Sequence, residues 1–250
     1  TRYAGWQVQN DSKQQTADSK QLTVDSRQRK KLDKQKPTIQ GTLERVLKRI
    51  LREPVRVVGS GRTDAGVHAE AQVAHVATRT ALAPARVVRS LNQLLPPDIA
   101  VTRMTPATGS FHARFDALRR RYRYRLFTGP VVPPFIRPYV HHVTVPLSVP
   151  LMRREAAALA GRHDFRAFAR AESARGNTHR TMTSVRLRRA GAELQVELEG
   201  TGFLHTMVRS IVGTLLDIGR GRLAPGTIRR LLTTGDRRQA GTTPPAFGRT

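Results

Sequence analysis

The 250-residue chain contains no cysteine. That excludes disulfides, thiolate zinc sites, iron–sulfur clusters and every mechanism built on a cysteine nucleophile, and it fits a reducing compartment. No apolar run approaches the roughly 18 residues a membrane-spanning helix needs. No stretch combines the basic start, apolar segment and small-residue cleavage site of a secretory signal. The expectation is a soluble cytoplasmic protein with no membrane partner. Acidic residues are also scarce, 18 against 44 Lys+Arg, which leaves a formal charge of +26. Such a field favours polyanions, because each cation seated on a phosphate releases condensed counterions. A genome that writes arginine wherever a surface cation is tolerated accounts for individual arginines less awkwardly than for the total.

The length and the 38% hydrophobic content allow one large domain or two small ones with a real core. Six of the seven lysines fall within residues 10–36, where only Ala17, Leu22, Val24 and Leu32 are apolar. This stretch buries too little to offset the entropy of ordering and reads as a flexible basic insertion; a helix formed on binding RNA is the alternative, without a continuous apolar stripe to support it. It carries +4, leaving +22 on the other 223 residues.

Beyond it, Ile39, Leu43, Val46, Leu47, Ile50 and Leu51 make one helical face closed by Pro54. Short strands are expected at 55–58 and 67–77 around the turn GSGRTDAG (59–66), then a helix over 84–95 and a strand near 99–103. The later half repeats the alternation, with strands at 120–127, 182–189 and 193–199 and helices at 150–160, 204–218 and 225–233. The fold expected is α/β of the α+β kind, with a boundary between residues 107 and 108.

Three places could carry chemistry. The turn at 59–66 fails the dinucleotide fingerprint and, with Val67-His68 where Lys-Ser/Thr is required, fails the P-loop. What remains is a tight turn presenting Arg62, Thr63 and Asp64. An Asp there either caps the turn through its own backbone or, kept ionised by neighbouring guanidinium charge, serves as nucleophile or base beside a bound nucleotide. In RRRYRYRL (119–126), alternation puts Tyr122, Tyr124 and Leu126 on one face and Arg121, Arg123 and Arg125 on the other. This is either a core face and a solvated face, or a ring for an unstacked base with arginines on its backbone. FHAR (111–114) adds the cation candidates His112 and Arg114. Arg209 lies on the flank of the stripe Val208, Ile211, Val212, Leu215, one turn beyond His205. Partly buried there it needs an anion, and Asp64 is one candidate.

Several classes drop out. The eight histidines are scattered, and without cysteine there is no zinc-deaminase set. Acidic pairs near the motifs are too sparse for two-metal nuclease chemistry, and no Ser-His-Asp order with a nucleophile elbow is visible.

GRTDAGVHA (61–69), FHARF (111–115), RRYRY (120–124), GRHDFRAF (161–168) and GFLHTMVRSIVGTL (202–215) together resemble the TruA-type tRNA pseudouridine synthases. YAGWQ (3–7) and PTIQG (37–41) resemble that family's opening segments. The resemblance implies isomerisation of uridine to pseudouridine in the tRNA anticodon stem-loop, at nucleotide positions 38 to 40, without metal or organic cofactor, by a homodimer whose protomers jointly hold one tRNA. It implies Asp64 as the catalytic aspartate, Tyr122 packing on the target base, Arg209 paired with Asp64 and Arg62 beside the flipped nucleotide. His112, Arg114, Arg120, Arg121 and His205 are then candidates for contacts to the nucleic acid. The implied fold is two related halves with mainly antiparallel sheets, flanked by helices around a basic cleft. The family pattern also has a strand and Tyr-Asp-Gly ahead of the segment matching Thr1, a short connection in place of 10–36, and a final apolar strand where this chain has AGTTPPAFGRT (240–250). A non-catalytic RNA-binding or RNA-chaperone module with the same fold is the rival; a ribosome-associated structural protein fits the charge but not GRTDAGVHA.

Overall fold

The computed structural model describes residues 2–6 and 37–246. The segment read as a flexible insertion lies outside them. The chain divides into two compact units, residues 1–116 and 117–250. Among the described residues they are mixed α/β, with two sheets and five flanking helices.

In the first unit, α1 (Ile39–Leu51) starts where Thr38 Oγ1 accepts the Gly41 N–H, and it ends on the left-handed Arg52. Its Leu43 and Leu47 meet Val87 and Leu91 of α2 (Pro84–Leu94), with Trp6, Val57 and Leu95 completing the core. Strands β1 (Val57–Gly59) and β2 (Ala74–Val76) pair antiparallel, Val57 opposite Val76. Glu44 of α1 reaches across so that Oε1 accepts from the Val57 N–H at 2.9 Å, tying sheet to helix. The strand expected near 99–103 does not form. The side-chain amide of Asn92 gives and takes a hydrogen bond at Val101, both at 2.8 Å, so the backbone there is satisfied without a neighbouring strand. The strand expected over 67–77 contracts to β2.

The second unit is built on a five-stranded sheet, in the order β4-β3-β7-β6-β5. Its strands are β3 (Arg120–Phe127), β4 (His141–His142), β5 (Gly161–Asp164), β6 (His179–Ala190) and β7 (Glu193–Gly200). All neighbours run antiparallel except β3 and β4. β3 alternates as expected: Tyr124 and Leu126 are buried with Val196 and Leu198 of β7, while the intervening arginines lie on the opposite face. Helices α3 (Val149–Ala157), α4 (Met207–Gly219) and α5 (Thr227–Thr234) complete this core. α4 is its centre, buried continuously from Ser210 to Gly219. It starts at Met207 rather than 204 because Thr206 takes a left-handed φ of 66°, which no α-helix can continue through.

Candidate active site

The turn carrying Asp64 is set by its glycines and by the chain's opening segment. Gly66 has φ +88°, the left-handed region that a side chain adopts only with strain. Gly5, at φ +111°, lets its main chain pass so close that a β-carbon would sit 2.4 Å from the Thr63 carbonyl. The Trp6 N–H then donates to that same carbonyl at 3.2 Å, and the indole lies on Gly59. The other side of segment 3–6 holds α1: Gly5 O accepts from Ile39 N at 3.1 Å and Trp6 O from Gln40 N at 2.9 Å. Gln72 secures the far limb of the turn by donating to Gly61 O at 2.7 Å. Asp64 is half-buried in this frame and Arg62 is exposed. Asp64 O accepts the Val67 N–H at 3.1 Å, one main-chain hydrogen bond within the turn.

FHARF closes the same unit by docking on β2. Ala113 N donates to His75 Nδ1 at 3.1 Å, and the N–H groups of Arg114 and Phe115 converge on His112 Nδ1 at 3.2 and 3.3 Å. This pattern assigns Nδ1 of both rings as an acceptor and leaves Nε2 of His112 to carry the proton. The His75 and His112 rings meet edge-on at 4.8 Å. The Arg114 guanidinium lies 5.7 Å from the centre of the largely exposed Phe115 ring.

In the second unit, Tyr122 is half-buried on the core-facing side of β3, opposite Leu198. Its ring packs edge-on against Phe203, in the loop between β7 and α4. Arg120 shares that face and donates to Thr201 O at 3.2 Å. Arg121 points the other way and is gripped by Glu199, with Nε and Nη2 at 2.9 and 2.6 Å from Oε2. Arg123–Glu197 and Arg125–Glu193 continue the ladder at 2.8 and 2.7 Å. His205 is exposed, and its carbonyl accepts the Arg170 N–H at 3.1 Å.

Arg209, on the first turns of α4, is half-buried and donates from Nε to Pro244 O at 2.8 Å. Beside it the buried Tyr124 gives its hydroxyl proton to Pro245 O at 2.6 Å. Burial pushes the Tyr124 phenol far above the ordinary tyrosine range, and the nearby Arg209 charge pulls against that rise. Tyr122 and Phe203 are thus brought together, as are Arg209, Tyr124 and the 244–245 main chain. Sequence reasoning missed Phe203 and His75 as supports, while Tyr124 takes the core position its alternation favours. Phe203 stands inside a quoted motif, but only the chain reversal after β7 brings it to Tyr122.

Comparison with known proteins gives the chain's family. A family model described as tRNA pseudouridine synthase matches residues 16–116 and 156–250, so the chain belongs to the tRNA pseudouridine synthase family. It is 43% identical over 211 residues to tRNA pseudouridine synthase A of Exiguobacterium sibiricum, covering 84% of each chain. It is 38% identical over 248 residues to the protein of that name from Moorella thermoacetica, covering 99% of this chain and 92% of the relative. With its counterpart from Methylibium petroleiphilum it shares 43% identity over 206 residues, 82% of this chain and 79% of the relative. No helix among the described residues is long and apolar enough to cross a membrane.

Proposed function

We propose that the chain converts uridine to pseudouridine in the anticodon stem-loop of tRNA, at positions 38 to 40, with Asp64 as the catalytic carboxylate. The observation that carries the reading is the turn GRTDAGVHA, which holds Asp64 half-buried on a glycine-shaped loop in a chain of this family.

The target uracil must leave the stack before its chemistry can begin. The N1–C1′ bond then breaks and a C5–C1′ bond forms, C5 losing a proton to solvent and N1 gaining one, so the reaction is an isomerisation and consumes no co-reactant. An ionised carboxylate promotes it by adding at C6, by attacking C1′, or by taking a proton at C2′. The family resemblance assigns Arg209 to this carboxylate, since a guanidinium fork can orient a carboxylate through charge-assisted hydrogen bonds. Tyr122 packs on the base, Arg62 lies beside the flipped nucleotide, and His112, Arg114, Arg120, Arg121 and His205 serve the flanking backbone. The enzyme works as a cytoplasmic homodimer, without metal or organic cofactor.

Purified protein incubated with tRNA tritiated at uridine C5 is expected to release tritium, and Asp64→Ala to abolish the release. Mapping the modified nucleotides then tests positions 38 to 40. Stable RNA complexes with no tritium release by the wild-type protein would overturn the enzymatic reading in favour of an RNA-binding module.

A further inference from the structure

α4 carries a polar stripe that the catalytic reading leaves unused. Ser210, Thr214 and Asp217 are buried, in a helix whose remaining faces pack in the apolar core. Buried polar side chains on a core helix are costly unless each finds a partner. All three find theirs in the 241–245 segment. Gly241 N donates to Thr214 Oγ1 at 3.0 Å, while the Thr214 hydroxyl gives its own proton to Ser210 O at 2.9 Å. Thr242 N donates to Asp217 Oδ2 at 2.9 Å, and the hydroxyls of Thr243 and Ser210 lie 3.2 Å apart. Gly213, between these positions, lets the segment lie directly on the helix: a β-carbon there would fall 1.8 Å from Thr242 O. The segment runs antiparallel to α4 and finishes at Arg209 and Tyr124, whose side chains take the Pro244 and Pro245 carbonyls.

We infer that residues 241–245 form a positioning strap for Arg209, with Gly213, Thr214, Asp217 and Tyr124 as positioning residues that act through it. A free arginine side chain samples many rotamers. Committing Nε to one main-chain carbonyl fixes the plane of the guanidinium and turns its Nη edge in a single direction, the edge that suits a carboxylate fork. The carbonyl is a useful anchor only while its own backbone is immobile, and the stripe on α4 supplies that immobility. Tyr124 adds the second clamp from β3, so helix, strand and segment meet at one guanidinium. Two consecutive prolines at 244 and 245 restrict the strap's φ angles and remove two N–H groups that would otherwise need partners. This inference rests on the catalytic role proposed above for Arg209.

The test compares Gly213→Ala, Thr214→Val, Thr214→Ser and Tyr124→Phe with the wild-type protein. Three quantities are read: hydrogen exchange of the Gly241 and Thr242 amides, the Nε–H NMR signal of Arg209, and kcat and KM for tritium release. Ala at 213 suits a helix better than Gly but collides with the strap, so loss there separates strap from helix. Gly213→Ala and Thr214→Val are expected to lose protection at both amides and to lose the Arg209 signal. Their kcat is expected to fall by about 10²-fold, the scale of a 1 Å misplacement in a catalytic array, with KM within about threefold. Thr214→Ser, which keeps the hydroxyl, is expected to retain all three, and Tyr124→Phe to fall between. If Gly213→Ala does not fold, the Val and Ser variants at 214 decide. A strap that loses protection while kcat stays within about twofold overturns the inference, as does one that stays protected in both disruptive variants. Absence of tritium release from the wild-type protein, or its persistence in Asp64→Ala, overturns the proposed function instead, and the amide and Nε–H signals still report whether the strap holds Arg209.

Discussion

The ring of Tyr122 stands edge-on to that of Phe203, centroids 4.8 Å apart and planes at 74°. Edge-to-face contact of this kind contributes about 0.5–1.5 kcal/mol beyond area burial and fixes where each ring can go. Phe203 therefore acts as a prop that holds Tyr122 at one tilt. Tyr122→Phe keeps both the ring and the prop, and its turnover is expected to stay within a few-fold of wild type. Tyr122→Ala removes the proposed platform, and base–aromatic contacts are worth about 1–3 kcal/mol each, so turnover is expected to fall about 5- to 150-fold. Phe203→Ala is expected to lie between the two. Equal losses in Tyr122→Phe and Tyr122→Ala, measured by tritium release, would assign the hydroxyl rather than the ring as the working part.

A second prediction concerns the support behind Asp64. A β-carbon at Gly59 would lie 2.3 Å from Trp6 Nε1, so Gly59→Ala must push the indole away. Trp6 also anchors Thr63 through its main chain, which couples that displacement to the turn. Overpacking of this sort typically costs about 1–3 kcal/mol. Because the chain has a single tryptophan, its fluorescence reports the site without ambiguity. The expected outcome is a red-shifted emission maximum, lower thermal stability and reduced kcat. An unshifted spectrum with full activity would refute the coupling between residue 6 and the turn.

How much of this was legible beforehand depends on how far apart the cooperating residues lie. The alternation of β3 and the stripe of α4 are local periodicities, and both formed where expected. Val101 also looked like strand, yet the Asn92 side chain captured its backbone groups first, a tertiary substitution that no propensity records. The pairing of Arg121 with Glu199 is hidden in the sequence, because the two lie 78 residues apart and become neighbours only through the β3–β7 register. The strap was invisible for the same reason: AGTTPP has no strand pattern, and its order comes from side chains on a helix some 30 residues earlier in the chain. Asp64 itself stands out through its resemblance to a known motif, since turn chemistry alone reads an Asp there more readily as a cap.

The Arg–Glu ladder predicts the acid limb of stability. The guanidinium of Arg125 beside Glu193, and that of Arg123 beside Glu197, hold both carboxyls below the ordinary glutamate range, and Glu199 is held down by Arg121. A carboxyl with a depressed folded-state pKa contributes stability above its unfolded value, about 4.3, and loses it as pH falls through the folded value. The urea midpoint is therefore expected to be flat near neutrality and to drop below about pH 4.5. Glu197→Gln is expected to shallow that drop while changing the midpoint at pH 7 only slightly, because the pair is partly solvated and weak at neutral pH. A wild-type acid limb reproduced unchanged in Glu193→Gln and Glu197→Gln would place the titrating groups elsewhere.

The last prediction separates stability from catalysis. Glu155, buried on α3, turns its carboxylate onto the start of α5, accepting from Gly226 N at 2.7 Å and from Ile228 N at 3.3 Å. α5 has no capping side chain of its own, since Gly226 occupies the cap position with φ +85°. Glu155 thus serves as a cap supplied from another helix, satisfying two of the N–H groups every helix leaves open and complementing the positive end of its dipole. Glu155→Ala leaves those donors buried without an acceptor, which costs about 1–3 kcal/mol. For a unit of this size each kcal/mol lowers the melting temperature by roughly 4 °C, so a fall of about 4–12 °C is expected by circular dichroism. Glu155→Gln keeps one acceptor oxygen and forfeits only the charge and one hydrogen bond, so its fall should be about half as large. Both variants are expected to turn over tRNA at the wild-type rate per folded molecule at 25 °C, because Glu155 touches neither Arg209 nor the segment that holds it. A melting temperature unchanged in Glu155→Ala would show that α5 is fixed by its apolar face through Ile228 and Leu231 alone.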